Sequence, residues 1–227
     1  MAINYGSLKQ AEDNLLKKFY AYLSHTYKMH LVVIKTFEEY ANIEEVNKKI
    51  QRVFELEKIS NITQAELLDE CTWMISKEQP QAGHLRFVIA IINSINDLER
   101  ICDYANNLAK FLEITPSMKP DHLTSLATLE RLAIDNFYKI FEHFRTHDAF
   151  NSYEYAEELL NDFTKKFREH LQVFNDSFFR ENQHESGVTV SLILAFKNVE
   201  RIMDHIMNII EYFIYIKEAH FFFKKRS

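Results

Sequence analysis

The stretch NDLERICDYAN, Asn96 to Asn106, sets Glu99 and Asp103 four residues apart and runs on to Asn107. On an α-helix, positions i, i+4 and i+8 lie on one face, one above the other. Two like charges at that spacing cost a helix roughly 0.2–0.5 kcal/mol unless a cation or a partner offsets them. NVERIMDHIMN, from Asn198, repeats the pattern, with Glu200, Asp204 and Asn208 at a constant offset of 101 residues. Arg100 and Arg201 repeat as well, about 100° around the helix from the acids, where bracing a neighbouring helix is their expected role. A helical motif written twice in register implies a duplicated helical unit.

The rest of the chain agrees. Only 3 Gly and 3 Pro occur in 227 residues, so tight turns are few and the elements between them long. No alternating strand pattern competes. ITPSMKPD, with Pro116 and Pro120, lies near the middle and divides the chain into halves, 1–115 and 116–227. Each half has its own start signals. Asn42 with Glu45, and Asn151 with Glu154, stand in capping-box relation. Pro80 marks where a third helix begins in the first half, and ENQHESGVTV around Gly187 is its counterpart. Leu192, Phe196, Val199, Met203, Ile206, Ile210 and Phe213 trace one apolar stripe along the last helix. The fold expected is all-α: six long helices in two tandem antiparallel three-helix bundles, an internal repeat.

Composition excludes some functions. A net charge of −6 argues against nucleic-acid binding, which calls for a basic face. The N-terminus lacks the basic-then-apolar layout of a signal peptide. The longest uncharged run, Gly187 to Phe196, falls well short of the ~20 residues a bilayer span needs. A soluble, cytosolic protein is expected. Cys71 and Cys102 sit in apolar helical patterns and read as two buried free thiols.

Chemistry-bearing constellations are thin. There is no Gly-rich phosphate loop. Glu181 and His184 are the one Glu-x-x-His pair, where a ferritin-like di-iron site needs two on facing helices. His147-Asp148 stands alone, the ten histidines are scattered, and an enzyme is not expected. The repeated acidic stripe has a bland reading, a solvated face, and a sharper one, a hard-cation site. Stacked carboxylate and amide oxygens suit magnesium, manganese or iron. Further oxygen ligands are expected from the second helix of each half: Glu57, followed by Asn61, and Asp162, followed at i+4 by Lys166. The C-terminal EYFIYIKEAHFFFKKRS reads as an aromatic helix end with a basic tip.

Asp69 to Phe111, DECTWMISKEQPQAGHLRFVIAIINSINDLERICDYANNLAKF, resembles the signature segment of PhoU, the phosphate-transport regulatory family of bacteria. Gln79, Pro80, Ala82, Leu85 and Arg86 match its first block; Asp97, Leu98, Glu99, Arg100, Ile101 and Asp103 match its second. Ser191 to Ile216 is similar to the family's second repeat. The resemblance implies a non-enzymatic adaptor acting on the ATPase or permease of a phosphate ABC transporter, peripheral to the membrane through that partner, and on a sensor histidine kinase where one exists. It also implies metal, iron, manganese, magnesium or zinc, on Glu99/Asp103 and Glu200/Asp204, with Glu57 and Asp162 alongside, and partner contacts at the motif residues Arg86, Arg100, Asn107, Arg201 and Asn208. Three positions depart from the pattern: His84 replaces an Asp, and Asn61 and Lys166 replace carboxylates. Two other functions compete with the adaptor, a metal-storing or metalloenzyme bundle and a BAG-like chaperone-binding bundle. A homodimer is expected over a monomer.

Overall fold

In a computed structural model, residues 5–115, 120–181 and 186–218 are described, and they form six helices. These are α1 (Tyr5–Glu38), α2 (Ile43–Glu78), α3 (Gly83–Ile114), α4 (Pro120–Thr146), α5 (Ala149–Glu181) and α6 (Ser186–Glu218). His184 and the Ala219–Ser227 tip lie outside the described residues. None of the described helices is long and apolar enough to cross a membrane.

Local chemistry sets the boundaries. Asn42 caps α2, its side chain accepting from Glu45 N, as the Asn42/Glu45 spacing predicts. Pro120 opens α4, where a missing N–H costs nothing. Two expectations shift. The cap of α5 is Asp148, whose Oδ1 accepts from Asn151 N at 2.9 Å, so the helix starts three residues before the Asn151/Glu154 signal placed it. Asp148 thereby leaves the His147-Asp148 pair for a capping role. Likewise α3 starts at Gly83, not Pro80: Gln79 closes α2 in the left-handed region at φ 49°, and Ala82, at φ 51°, delays the new helix. A non-glycine residue at such a φ is held there by its surroundings.

Within each half the three helices pack on one another, α1–α2–α3 and α4–α5–α6. The most extensive pairing is between halves, α3 against α6, with α1 against α4 as a second seam. All seven stripe residues of α6, Leu192 to Phe213, are buried. They belong to one core continuous across both halves, in which Phe19 of α1 meets Phe213 of α6 at 5.7 Å between ring centroids. Burial of this kind stabilises by about 1.5–3 kcal/mol per large apolar side chain. Both cysteines are buried free thiols, and burial pushes Cys71 up to about 12 and Cys102 up to about 11. Neither is a ready nucleophile.

Candidate functional site

The repeated motif faces outward on α3 and α6, and the two copies have different neighbours. In the first half Glu99 and Asp103 lie beside α2. Glu99's side chain is only 18% exposed. Burial first, then the Asp103 carboxylate, raises the Glu99 carboxyl above the ordinary range; Glu57 adds to this and Arg100 opposes it. Across on α2, Asn61 Nδ2 donates to Glu57 Oε1 at 2.8 Å, and Gln64 Nε2 donates to Asn96 Oδ1 at 3.1 Å. Beneath this face the packing is polar: Tyr22 Oη and Ser60 Oγ are 2.7 Å apart, and the Cys102 thiol donates to Thr26 Oγ1 at 3.4 Å.

In the second half the acids have lysines. Lys166 Nζ donates to Asp162 at 2.7 Å, and Lys197 donates to Glu200, each within its own helix. Asp204 and Arg201 are exposed. Among the described residues, no three His, Cys, Asp or Glu side chains are grouped so as to hold a metal ion. Glu99 and Asp103 lie near Glu57 with no lysine among their partners, whereas Glu200 and Asp162 each pair with one.

Arg100 corrects an expectation. It folds over its own helix, Nη1 3.4 Å from Asp103 and Nε 3.8 Å from Glu99, and does not brace a neighbour. A long, exposed side chain at i+3 and i+1 from acids finds them first. Arg86 is half-buried, and its Nε donates to Ile216 O at 3.1 Å, satisfying a carbonyl in the last turns of α6.

The seam between α3 and α6 holds a second polar cluster. The helices cross antiparallel, so Asp97, in the middle of α3, meets His205 and Asn208 of α6. His205 Nδ1 pairs with Asp97 Oδ1, its Nε2 lies 3.0 Å from Tyr104 Oη, and Asn208 Nδ2 donates to Asp97 at 3.4 Å. Burial and the adjacent Asp97 carboxylate push the Tyr212 phenol up to about 12. A further histidine–carboxylate pair, His30 with Glu130, is fully buried on the α1–α4 seam, and His30 Nε2 donates to Ile101 O at 2.9 Å. Of these, the sequence points to Asn208 as a site residue and to Asp97 as a residue of the family motif. Asp97, Tyr104, His205, His30 and Glu130 were not marked as site residues. One signal was present: Tyr104 and His205 stand 101 residues apart, at equivalent places in the repeat.

Asn107, the equivalent of Asn208, faces the other end of the seam. There it lines a cleft of about 340 Å³ with Lys110, Phe111, Leu194 and Asn198.

Comparison with known proteins places this architecture. A family model described as the PhoU domain matches residues 26–112. The protein MG409 of Mycoplasma genitalium is 35% identical over 222 residues, covering 97% of this chain and 98% of its own. The phosphate-specific transport system accessory protein PhoU of Escherichia coli K12 is 27% identical over 175 residues, covering 75% of this chain and 71% of its own. The crystal structure of PhoU from Pseudomonas aeruginosa superposes with a TM-score of 0.81 at 19% identity, covering 93% of this chain and 99% of that one. The six-helix arrangement is thus a shared feature, and the chain belongs to the PhoU family.

Proposed function

We propose that this protein is a non-catalytic regulator of phosphate uptake that works by docking on a phosphate ABC transporter, at its ATPase or permease, from the cytoplasmic side. Family membership, with likeness to a phosphate-specific transport system accessory protein over 75% of the chain, is the observation that carries the reading. The surface supports it: the motif helices α3 and α6 hold the halves together, and the first-half acids, without a lysine, are suited to a basic partner surface. A sensor kinase, where the host has one, is a second partner of the same kind, and a homodimer is the proposed oligomeric state. The test is affinity capture of the tagged protein from membranes of its own host at high and low phosphate. Transporter subunits recovered preferentially at high phosphate support the reading. Unchanged phosphate uptake in a deletion strain would refute it.

A second reading rests on the electrostatics of the first half. Glu99 is half-buried next to two other carboxylates and held only by an exposed Arg100. A metal cation, magnesium, manganese, iron or zinc, would be held chiefly by Glu99 and Asp103, with the charge of Glu57 nearby. When bound it supplies the positive charge that relieves their repulsion. Protein purified without chelator then retains metal, and the Glu99→Gln/Asp103→Asn pair loses it. Retention by the double variant would move the site elsewhere.

A further inference from the structure

On the seam between α1 and α4 lies an open cleft of about 610 Å³, within the usual size of small-molecule sites and separate from the acidic faces and the α3–α6 cluster. Its walls are aromatic. Tyr27 of α1 and Tyr138 of α4 face each other with ring centroids 5.3 Å apart and 38° between planes. Tyr20 lines the same cleft, with the Arg145 guanidinium over its ring at 5.8 Å. The floor is closed by Phe137 and Phe141, themselves packed edge to face at 4.9 Å.

The lip is cationic and rich in donors. Lys17 and Arg145 stand against a single carboxylate, Glu142. The Glu142–Arg145 pair is exposed and local, 3.0 Å at i,i+3, so an incoming anion displaces it at little cost. The phenols and the Ser24 hydroxyl also line the cleft and can donate. Burial raises the Tyr20 phenol above its ordinary value, and this group stays a donor at neutral pH.

The half-exposed Tyr138 ring in an aromatic-lined cleft suits stacking of a planar ring, and the donor-rich, net positive lip suits an acceptor-rich anion next to it. We infer that the α1–α4 cleft binds a small nucleoside phosphate, its base stacked on the exposed face of the Tyr27–Tyr138 pair and its phosphate at Lys17 and Arg145. One wall comes from each half, so the ligand bridges the two bundles. This site stands independently of the transporter reading.

The test is calorimetric titration of the full chain with adenosine monophosphate, adenosine and inorganic phosphate. The nucleotide should bind saturably and at least about tenfold more tightly than either fragment, as expected when two contacts act together. Lys17→Ala/Arg145→Ala should weaken the nucleotide about tenfold and leave adenosine unchanged. Tyr138→Ala should weaken both. All three side chains are exposed, so the variants should keep the wild-type melting temperature. Three results would overturn the proposal: no heat with adenosine or guanosine mono- or triphosphates at millimolar concentration, equal affinity for adenosine and its phosphate, or unaltered binding by folded variants.

Discussion

The first half leaves Glu99 and Asp103 to the exposed Arg100 alone, whereas in the second half Glu200 and Asp162 each pair with a lysine, although both halves write the same Glu-Arg-Ile-x-Asp run. The difference lies in two substitutions among the neighbours. Lys197 stands where the first repeat has Asn96, and Lys166 where it has Asn61. Asn96 accepts from Gln64 and Asn61 donates to Glu57 without adding positive charge, whereas their lysine counterparts pair with Glu200 and Asp162. Duplication therefore preserved the backbone and the acids, while the surrounding residues decided what the acids can do. The α3–α6 seam teaches the same lesson. At one end Asp97 gathers His205 and Asn208 beside Tyr212; at the other, the equivalent residue is Asn198, and a cleft remains.

The largest expected effect sits at that seam. Asp97→Ala removes the acceptor of His205 Nδ1 and of Asn208 from a nearly dry site. Hydrogen bonds to charged groups carry about 1.5–3 kcal/mol, so a loss of about 2–3 kcal/mol is expected. For a chain of this size that lowers Tm by about 5–10 °C. Asn198→Ala, at the half-buried equivalent position, should cost under about 1 kcal/mol. Calorimetry of both variants decides: equal losses would mean that the two ends of the seam are alike despite Asp97.

Exchanging the neutralising residues comes next. Asn61→Lys/Asn96→Lys gives the first half the cations of the second, and should weaken manganese binding at Glu99 and Asp103 about tenfold or more, the range typical of groups adjoining metal ligands. The reverse pair, Lys166→Asn/Lys197→Asn, should create cation binding at Glu200 and Asp162. Equilibrium dialysis reads the stoichiometry of each. Unchanged stoichiometry in both would detach metal affinity from these lysines.

How far all this was legible varies with the range of the interaction. Periodicity over α6 and the capping chemistry of Asn42 act within a few residues, and both appear as read. The cap of α5 moved because Asp148 makes with Asn151 the bond that Asn151 was expected to make with Glu154; two overlapping candidates compete and the stronger acceptor wins. Pro80 misplaced the start of α3 since two left-handed residues, Gln79 and Ala82, lie around it, a conformation neither residue type announces. Arg100 was legible as a cation but not in its direction. The His205–Asp97 pair was harder still, spanning 108 residues and depending on an antiparallel crossing of α3 and α6 that duplication alone does not specify. The α1–α4 cleft, with one wall from each half, was illegible for the same reason.

The smallest effect isolates the electrostatic contrast itself. In the folded protein the Glu99 carboxyl is raised, chiefly by burial and then by Asp103. Its protonated form is therefore favoured by folding, and stability falls as pH rises from the ordinary carboxylate value to the raised one; above that window the full cost of the ionised group is present. Glu99→Gln removes this cost. It should raise Tm at pH 7 by about 1–2 °C, in line with the 0.2–0.5 kcal/mol of an i,i+4 like-charge pair, and leave Tm unchanged at a pH below the ordinary carboxylate value. Glu200→Gln has the opposite sign, since it strands Lys197 without its partner, and should lower stability at neutral pH by a few tenths of a kcal/mol at most, read as a small drop in Tm. Salt should shrink both differences, the Glu200 one more, because that pair is more exposed than Glu99. If instead both glutamine variants gained alike at pH 7, lysine pairing would not distinguish the halves, and the contrast between the two acidic faces would have to lie in their burial alone.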